Sequence, residues 1–317
     1  MKHISLKDER GFIFVIVILI VFSLIALIMN FSRESAVEIS LAGYSKDSYL
    51  AYQLAYSAVQ SAIFLLDKDK RKVDSLKEDW AMLNKFHLLD EITTDGSVSC
   101  RIIDENSKLN VNYLVNKDGK LNQQRENQLK RLFNILDIEE DFLYPLLDWL
   151  DKDDIPRLKG AEDSYYMELK YPYHCANSPF ESIGQIFLVK GMKKVEQILR
   201  RRKKSLLDFI TIYSNGKINI NTAPKEVIQS LSPKIDADLA KAIVEYRKEE
   251  DFQSINDLMK VPGVDSDVYD NIRKWITVRS SAFSIEAQGR YGDAVCYIKA
   301  VLKREKKGYK LIYWKVS

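Results

Sequence analysis

Histidine and cysteine are scarce in this chain of 317 residues: three of each, His3, His87 and His174 with Cys100, Cys175 and Cys296. The cysteines are too few and too scattered for a zinc site, and the adjoining His174 and Cys175 lack the spacing of a ligand pair. An excess of charge is also lacking, because 48 Lys and Arg against 45 Asp and Glu leave a formal +3. The whole chain therefore makes no strong electrostatic claim on nucleic acid or an anionic bilayer. There is no glycine-rich phosphate-cradling loop and no convincing nucleophile with a base, so an enzyme is not expected.

The most localised absence is that of charge between Gly11 and Arg33. From Phe12 to Met29 every residue is apolar except Ser23. Eighteen such residues in a helix span roughly 27 Å, the hydrocarbon thickness of a bilayer. Lys2, Lys7 and Arg10 precede the run while Glu34 and Glu38 follow it, which places the N-terminus in the cytoplasm and the body outside it. Two readings fit: an uncleaved signal anchor, or a cleaved leader that leaves the apolar helix intact. Arg10-Gly11-Phe12 at the membrane boundary is similar to a type IV prepilin leader, which prepilin peptidase cuts after Gly11 to leave Phe12 as the mature terminus. The fifth residue after that cut is Ile16, where most pilins carry Glu. A subunit with no neighbour above it has no partner for a carboxylate in hydrocarbon, so Ile16 suits a filament tip.

Leu50, Leu54, Ala55, Ala58, Ala62, Leu65 and Leu66 recur at helical spacing, predicting one helix from Phe12 to about residue 66, with its membrane part at about 12–32. Gly96–Asp104, Ala282–Ala287, Ala294–Leu302 and Lys310–Val316 read as strands. These bracket a helix-rich stretch. The fold class expected is α+β: a long N-terminal transmembrane helix packed on a small antiparallel sheet (67–111 and 279–317), with a large helical domain inserted at 112–278 after a leader at 1–11.

The insertion echoes itself. Lys108-Leu-Asn-Val-Asn112 resembles Lys217-Ile-Asn-Ile-Asn221, and Phe180 to Gly191 resembles Phe252 to Gly263. Ser182 with Gln185 and Ser254 with Asp257 are capping-box pairs, and the glycines stand where helices end. Two modules of similar plan are predicted. The C-terminal module resembles a helix-hairpin-helix or SAM-like unit, a type that often binds DNA through backbone N–H groups at a Gly-rich hairpin. Its hairpins, Ser232-Pro-Lys-Ile-Asp236 and Val261-Pro-Gly-Val-Asp265, carry proline and aspartate instead, so nucleic acid is not the expected partner. The basic run from Arg200 to Lys204 reads as a solvated helix end.

Asp148, Asp151, Asp153, Asp154, Glu162 and Asp163 crowd six carboxylates into 16 residues. Hard oxygen donors on a Pro- and Gly-containing loop suit Ca2+ better than Zn2+, against the alternative of a solvated acidic loop.

Taken in order, the motifs are Arg10-Gly11-Phe12, Lys108-Leu-Asn-Val-Asn112, Asp148-Trp-Leu-Asp-Lys-Asp153, Gly160-Ala-Glu-Asp-Ser-Tyr-Tyr166, Pro172-Tyr to Ser182, and Asn219-Ile-Asn-Thr-Ala-Pro224. With a missing fifth-position Glu, this series resembles the minor pseudopilin K family of type II secretion systems along nearly the whole chain. The resemblance implies a structural subunit, not an enzyme, that caps a periplasmic pseudopilus with minor pseudopilins I and J and helps start its assembly. It also implies a single-pass inner-membrane anchor, leader cleavage with methylation, and calcium in the helical domain. On the matching motifs the implied ligands are Asp151, Asp153, Glu162 and Asp163, with Asn177. A membrane-anchored DNA receptor of a competence-like system is the alternative. Cys100 and Cys296 follow similar Gly-containing strand starts, and the resulting expectation is a disulfide between them in an oxidising compartment.

Overall fold

The computed structural model describes residues 7–69, 72–83, 96–116 and 118–317. Lys2 and His3 of the expected leader, and His87, lie outside the described residues. Helix α1 spans Lys7–Lys68 and runs through Gly11 without a break. Its N-terminal half exposes an apolar surface from Phe12 to Phe31, whereas Ala51, Ala55, Ala58, Val59, Ala62 and Leu66 are buried. The seam differs from the expected stripe in that Leu50, Leu54 and Leu65 are only half-buried. Alanine forms the contact because a small side chain lets a helix backbone come close to a sheet.

The strands are β1 (Gly96–Asp104), β2 (Leu109–Asn110), β3 (Ile210–Thr211), β4 (Ile218–Asn219), β5 (Ile276–Thr277), β6 (Ala282–Tyr291), β7 (Ala294–Arg304) and β8 (Tyr309–Val316). β1, β6, β7 and β8 form one antiparallel sheet in that order. Val98 and Ile102 of β1, Ile285 and Ala287 of β6, and Ile298 and Ala300 of β7 build a core with the α1 seam and Trp80. Trp80 lies in the short helix α2 (Asp79–Met82) and meets Phe283 edge-on.

The expected Cys100–Cys296 bridge is not formed, and all three cysteines are free thiols. Cys100 faces Ala287 across the β1–β6 ladder, while Cys296 faces Gly289 on the opposite side of β6. An intervening strand puts the two cysteines about 9 Å or more apart, too far for a disulfide, which needs Cα atoms within roughly 7 Å.

A second, separate core fills the helical body, from Leu109 and Val111 to Ile276. The body therefore begins with β2, slightly before residue 112. Its helices are α3 (Gln123–Ile135), α4 (Tyr144–Leu150), α5 (Asp163–Met167), α6 (Met192–Arg201), α7 (Lys225–Ser230), α8 (Ala237–Glu249) and α9 (Ser266–Ile272). The sequence echo is structural. Each module is closed by a two-residue parallel ladder, β2 with β3 and β4 with β5. Asn112 Oδ1 accepts from Phe180 N at 2.8 Å while its Nδ2 donates to Phe180 O at 2.9 Å. Asn221 clamps Phe252 in the same way, at 2.9 Å for both bonds. Both predicted capping boxes are present, and Gly191 and Gly263 adopt φ of 84° and 93°.

The sheet and the helical body meet at a buried polar hub. Asp104, at the end of β1, accepts from Asn106 N at 2.7 Å, Asn219 Nδ2 at 3.0 Å, Thr222 Oγ1 at 2.5 Å and Ser280 Oγ at 2.6 Å. Beside it, Arg304 of β7 donates to both carboxylate oxygens of Asp74 at 2.6 Å. Burial pushes the Asp104 carboxyl up to about 6.

Candidate metal centre

Helix α4 starts at Tyr144 with Pro145 in its first turn and stops at Asp151, whose backbone turns extended. The chain then loops over to Glu162, which precedes α5. Aromatic packing holds the two ends of this loop together. Trp149 meets Tyr166 edge-on with ring centres 5.2 Å apart and stacks on Phe180 at 6.2 Å, and Tyr166 stacks on Tyr173 at 5.3 Å.

Asp148, fully buried, organises the loop instead of facing a cation. Its carboxylate accepts from Ala161 N at 2.8 Å and Arg157 N at 3.2 Å, and it pairs with the Arg157 guanidinium at 2.5 Å. Gly160 is required here, since a Cβ would lie 1.8 Å from Asp148 Oδ2. Arg157 also reaches Asp151 Oδ2 at 2.5 Å.

Three of the expected ligands converge: carboxylate oxygens of Asp151, Asp153 and Glu162 lie within 4.8 Å of one another. Asp151 and Glu162 are 3% and 1% exposed. Among the described residues, Asp151 Oδ1, both Glu162 oxygens and Asn177 Oδ1 are buried without a nitrogen or oxygen hydrogen-bond partner, with the weakly donating Cys175 thiol beside Glu162. Buried acceptors in native proteins are normally satisfied, and each lone one costs about 1–3 kcal/mol, more when charged. Asn177 sits at φ 44° and is fixed by a 2.7 Å bond from its Nδ2 to Asp154. Burial, aided by the charges of Asp148, Asp151 and Asp154, pushes the Glu162 carboxyl up to about 7. Burial also raises Asp151, against the opposing pull of Arg157. Orphaned oxygen atoms without a nitrogen or sulfur donor among them are the donor set of a hard divalent cation, and the residues fit calcium.

Asp163 corrects the expected ligand set. It stands outside the converging group, and its two oxygens are occupied by His174 Nδ1 at 2.8 Å and Cys175 N at 2.6 Å. As the first residue of α5 it points toward the chain that returns through His174, so adjacency to Glu162 in sequence does not bring it to the same side. Asp148 belongs to the acidic crowding legible in the sequence, but its role as organiser of the loop and its partner Arg157 were not.

In the hairpins of the C-terminal module the helix N-termini are capped by the chain's own carboxylates. Asp236 caps α8 by accepting from Leu239 N, and Asp265 caps α9 by accepting from Val268 N. At both helix N-termini a carboxylate lies where an anionic ligand would sit.

A family profile for the type II secretion system (T2SS), protein K, matches residues 107–213, and one for the helix-hairpin-helix motif matches residues 214–277. Type II secretion system protein K of Pseudomonas aeruginosa is 32% identical over 200 residues, 61% of this chain, and the match spans little more than half, 56%, of that relative. The protein of the same name from Aeromonas hydrophila is 26% identical over 332 residues, covering 95% of each chain. A chain in the crystal structure of the GspK–GspI–GspJ complex from the enterotoxigenic Escherichia coli type 2 secretion system has the same fold. Its TM-score is 0.69 at 18% identity, covering 88% of this chain and 99% of that one. An apolar half-helix, a sheet interrupted by a two-module helical body, and relatives of one name along nearly the full length make the chain similar to type II secretion system protein K, whose family profile residues 107–213 match.

Proposed function

We propose that this minor pseudopilin sits at the tip of a periplasmic pseudopilus, where with minor pseudopilins I and J it starts assembly and so supports export of folded proteins. It acts as a structural subunit, held in the inner membrane by α1 with its N-terminus cytoplasmic until it enters the filament. The observation that carries this reading is the division of α1: an exposed apolar half long enough to cross a bilayer, continuous with a buried alanine seam under the sheet. The helical body adds bulk beside the sheet, and Ile16 replaces the carboxylate that a subunit above would neutralise. Prepilin peptidase cuts between Gly11 and Phe12, and calcium bound by Asp151, Asp153, Glu162 and Asn177 holds the acidic loop.

Mass spectrometry of the mature protein, combined with co-purification of I and J from a secreting cell, tests the proposal. A mature chain beginning at Phe12 and isolated with both partners is expected, and a chain still beginning at Met1 and recovered alone would sink it. The helix-hairpin-helix match at 214–277 favours a second reading, a DNA receptor. The caps at Asp236 and Asp265 weigh against it, and salt-dependent binding to duplex DNA would restore it.

A further inference from the structure

Between α3, the α7–α8 hairpin and α9 lies a cavity of about 230 Å3 lined by Arg125, Arg131, Gln124, Gln128, Asn271 and Trp275 among others, with no acidic residue among the described residues of its wall. Arg125 is only 3% exposed. Its guanidinium lies over the Trp275 ring, 4.3 Å from the centroid, donates to Gln128 Oε1 at 2.6 Å and to Gly216 O, and leaves a buried Nε without an acceptor. Arg131 is held to the hairpin by bonds to Ser230 O at 2.8 Å and Leu231 O at 3.2 Å. No carboxylate pairs with either arginine among the described ion pairs. A buried guanidinium that lacks a counter-charge is costly, and neutral carbonyl oxygens compensate it incompletely.

We propose that this cavity is a binding site for a carboxylate, received by Arg125 and Arg131 together with the amide of Gln124, while the Gln128 and Asn271 amides that line it are held by Ser230 Oγ and Asp267. Planar guanidinium groups match a carboxylate in two-point geometry. A phosphate is less well served. The adjoining hairpin offers Pro233, which has no N–H, and no glycine at the turn, so the backbone cradle that phosphate sites use is missing. The site is separate from the acidic loop and independent of the pseudopilus reading.

The test uses the full chain in detergent, with thermal melting against succinate at constant ionic strength set by sodium chloride. A saturable rise in Tm is expected. Gln128→Glu places a fixed carboxylate on Arg125, so it should raise the starting Tm and weaken succinate binding at least tenfold. Arg131→Gln should weaken binding similarly, and if it fails to fold, Gln128→Glu still decides. A short peptide ending in a free α-carboxylate, beside the same peptide amidated, distinguishes sources. Displacement of succinate by the free form alone assigns a polypeptide ligand, and no displacement assigns a small acid. A response equal in Gln128→Glu, matched by chloride, or stronger with inorganic phosphate than with succinate would overturn the assignment.

Discussion

Gly289 of β6 lies directly on the backbone of α1 at Ala51. A Cβ at residue 289 would stand 2.1 Å from the Ala51 carbonyl oxygen and 2.7 Å from Ala55 N, both unable to step aside without moving the helix. The long helix therefore rides on the sheet at a point where only hydrogen fits. Gly289→Val should destabilise the protein by about 1–3 kcal/mol, the usual cost of overpacking, whereas Gly184→Ala, with nothing nearer than 3.9 Å, should change stability by less than about 0.5 kcal/mol. Chemical denaturation of the two variants is the measurement, and equal midpoints would contradict the close approach.

Calcium should raise Tm, by an amount equivalent to about 2.7 kcal/mol at one hundred times Kd, and magnesium should substitute poorly because it gives up its water shell reluctantly. Glu162→Gln should remove most of the rise. At pH 8 in chelator the same variant should melt above the wild type, since it deletes a buried carboxylate crowded by the charges of Asp148, Asp151 and Asp154. Asp163→Asn, outside the cluster, should keep the calcium response. Loss of response in Asp163→Asn with retention in Glu162→Gln would reverse the ligand assignment.

Asp104 supplies a pH dependence with a definite sign. Burial raises its carboxyl from 3.8 to about 6, so the folded state holds a proton that the unfolded state has released between those values. Its favourable contribution is complete below pH 4 and is lost as pH rises through 6, a fall of about 3 kcal/mol at 1.36 kcal/mol per pKa unit. Denaturation of wild type and Asp104→Asn across pH 4 to 7 isolates this residue from other acids. Parallel curves would show that its four donors hold it ionised throughout.

The three thiols should titrate as free cysteine in denaturant and react slowly in the native protein. Burial lifts Cys100 to about 11 and Cys175 to about 12, leaving little thiolate at neutral pH. A non-reducing peptide map with Cys100 joined to Cys296 would contradict the strand order.

Asn112→Ala and Asn221→Ala should each cost about 2–3 kcal/mol, because each leaves a phenylalanine N–H and C=O without the partner that now serves both. Costs differing several-fold would mean that the two modules are alike in outline only.

What the sequence determined by itself was everything governed by local pattern. Hydropathy alone marks the apolar half of α1, alternation marks β1 at Gly96–Asp104 to the residue, and the capping pairs Ser182–Gln185 and Ser254–Asp257 act within one turn. The crowding of acids at residues 148–163 was equally legible, because charge density does not depend on direction. The tertiary structure decided which of those acids face one another: Asp151, Asp153 and Glu162 converge, Asp148 turns to Arg157, and Asp163 turns to His174. It also decided that β6 separates Cys100 from Cys296 and that Ala51 and Val59, instead of Leu50, Leu54 and Leu65, complete the helix seam with Ala55, Ala58, Ala62 and Leu66. Strand order and backbone approach are set by contacts between residues far apart in the chain, and side-chain direction at a loop depends on where the returning chain passes; neither is encoded in spacing along the sequence.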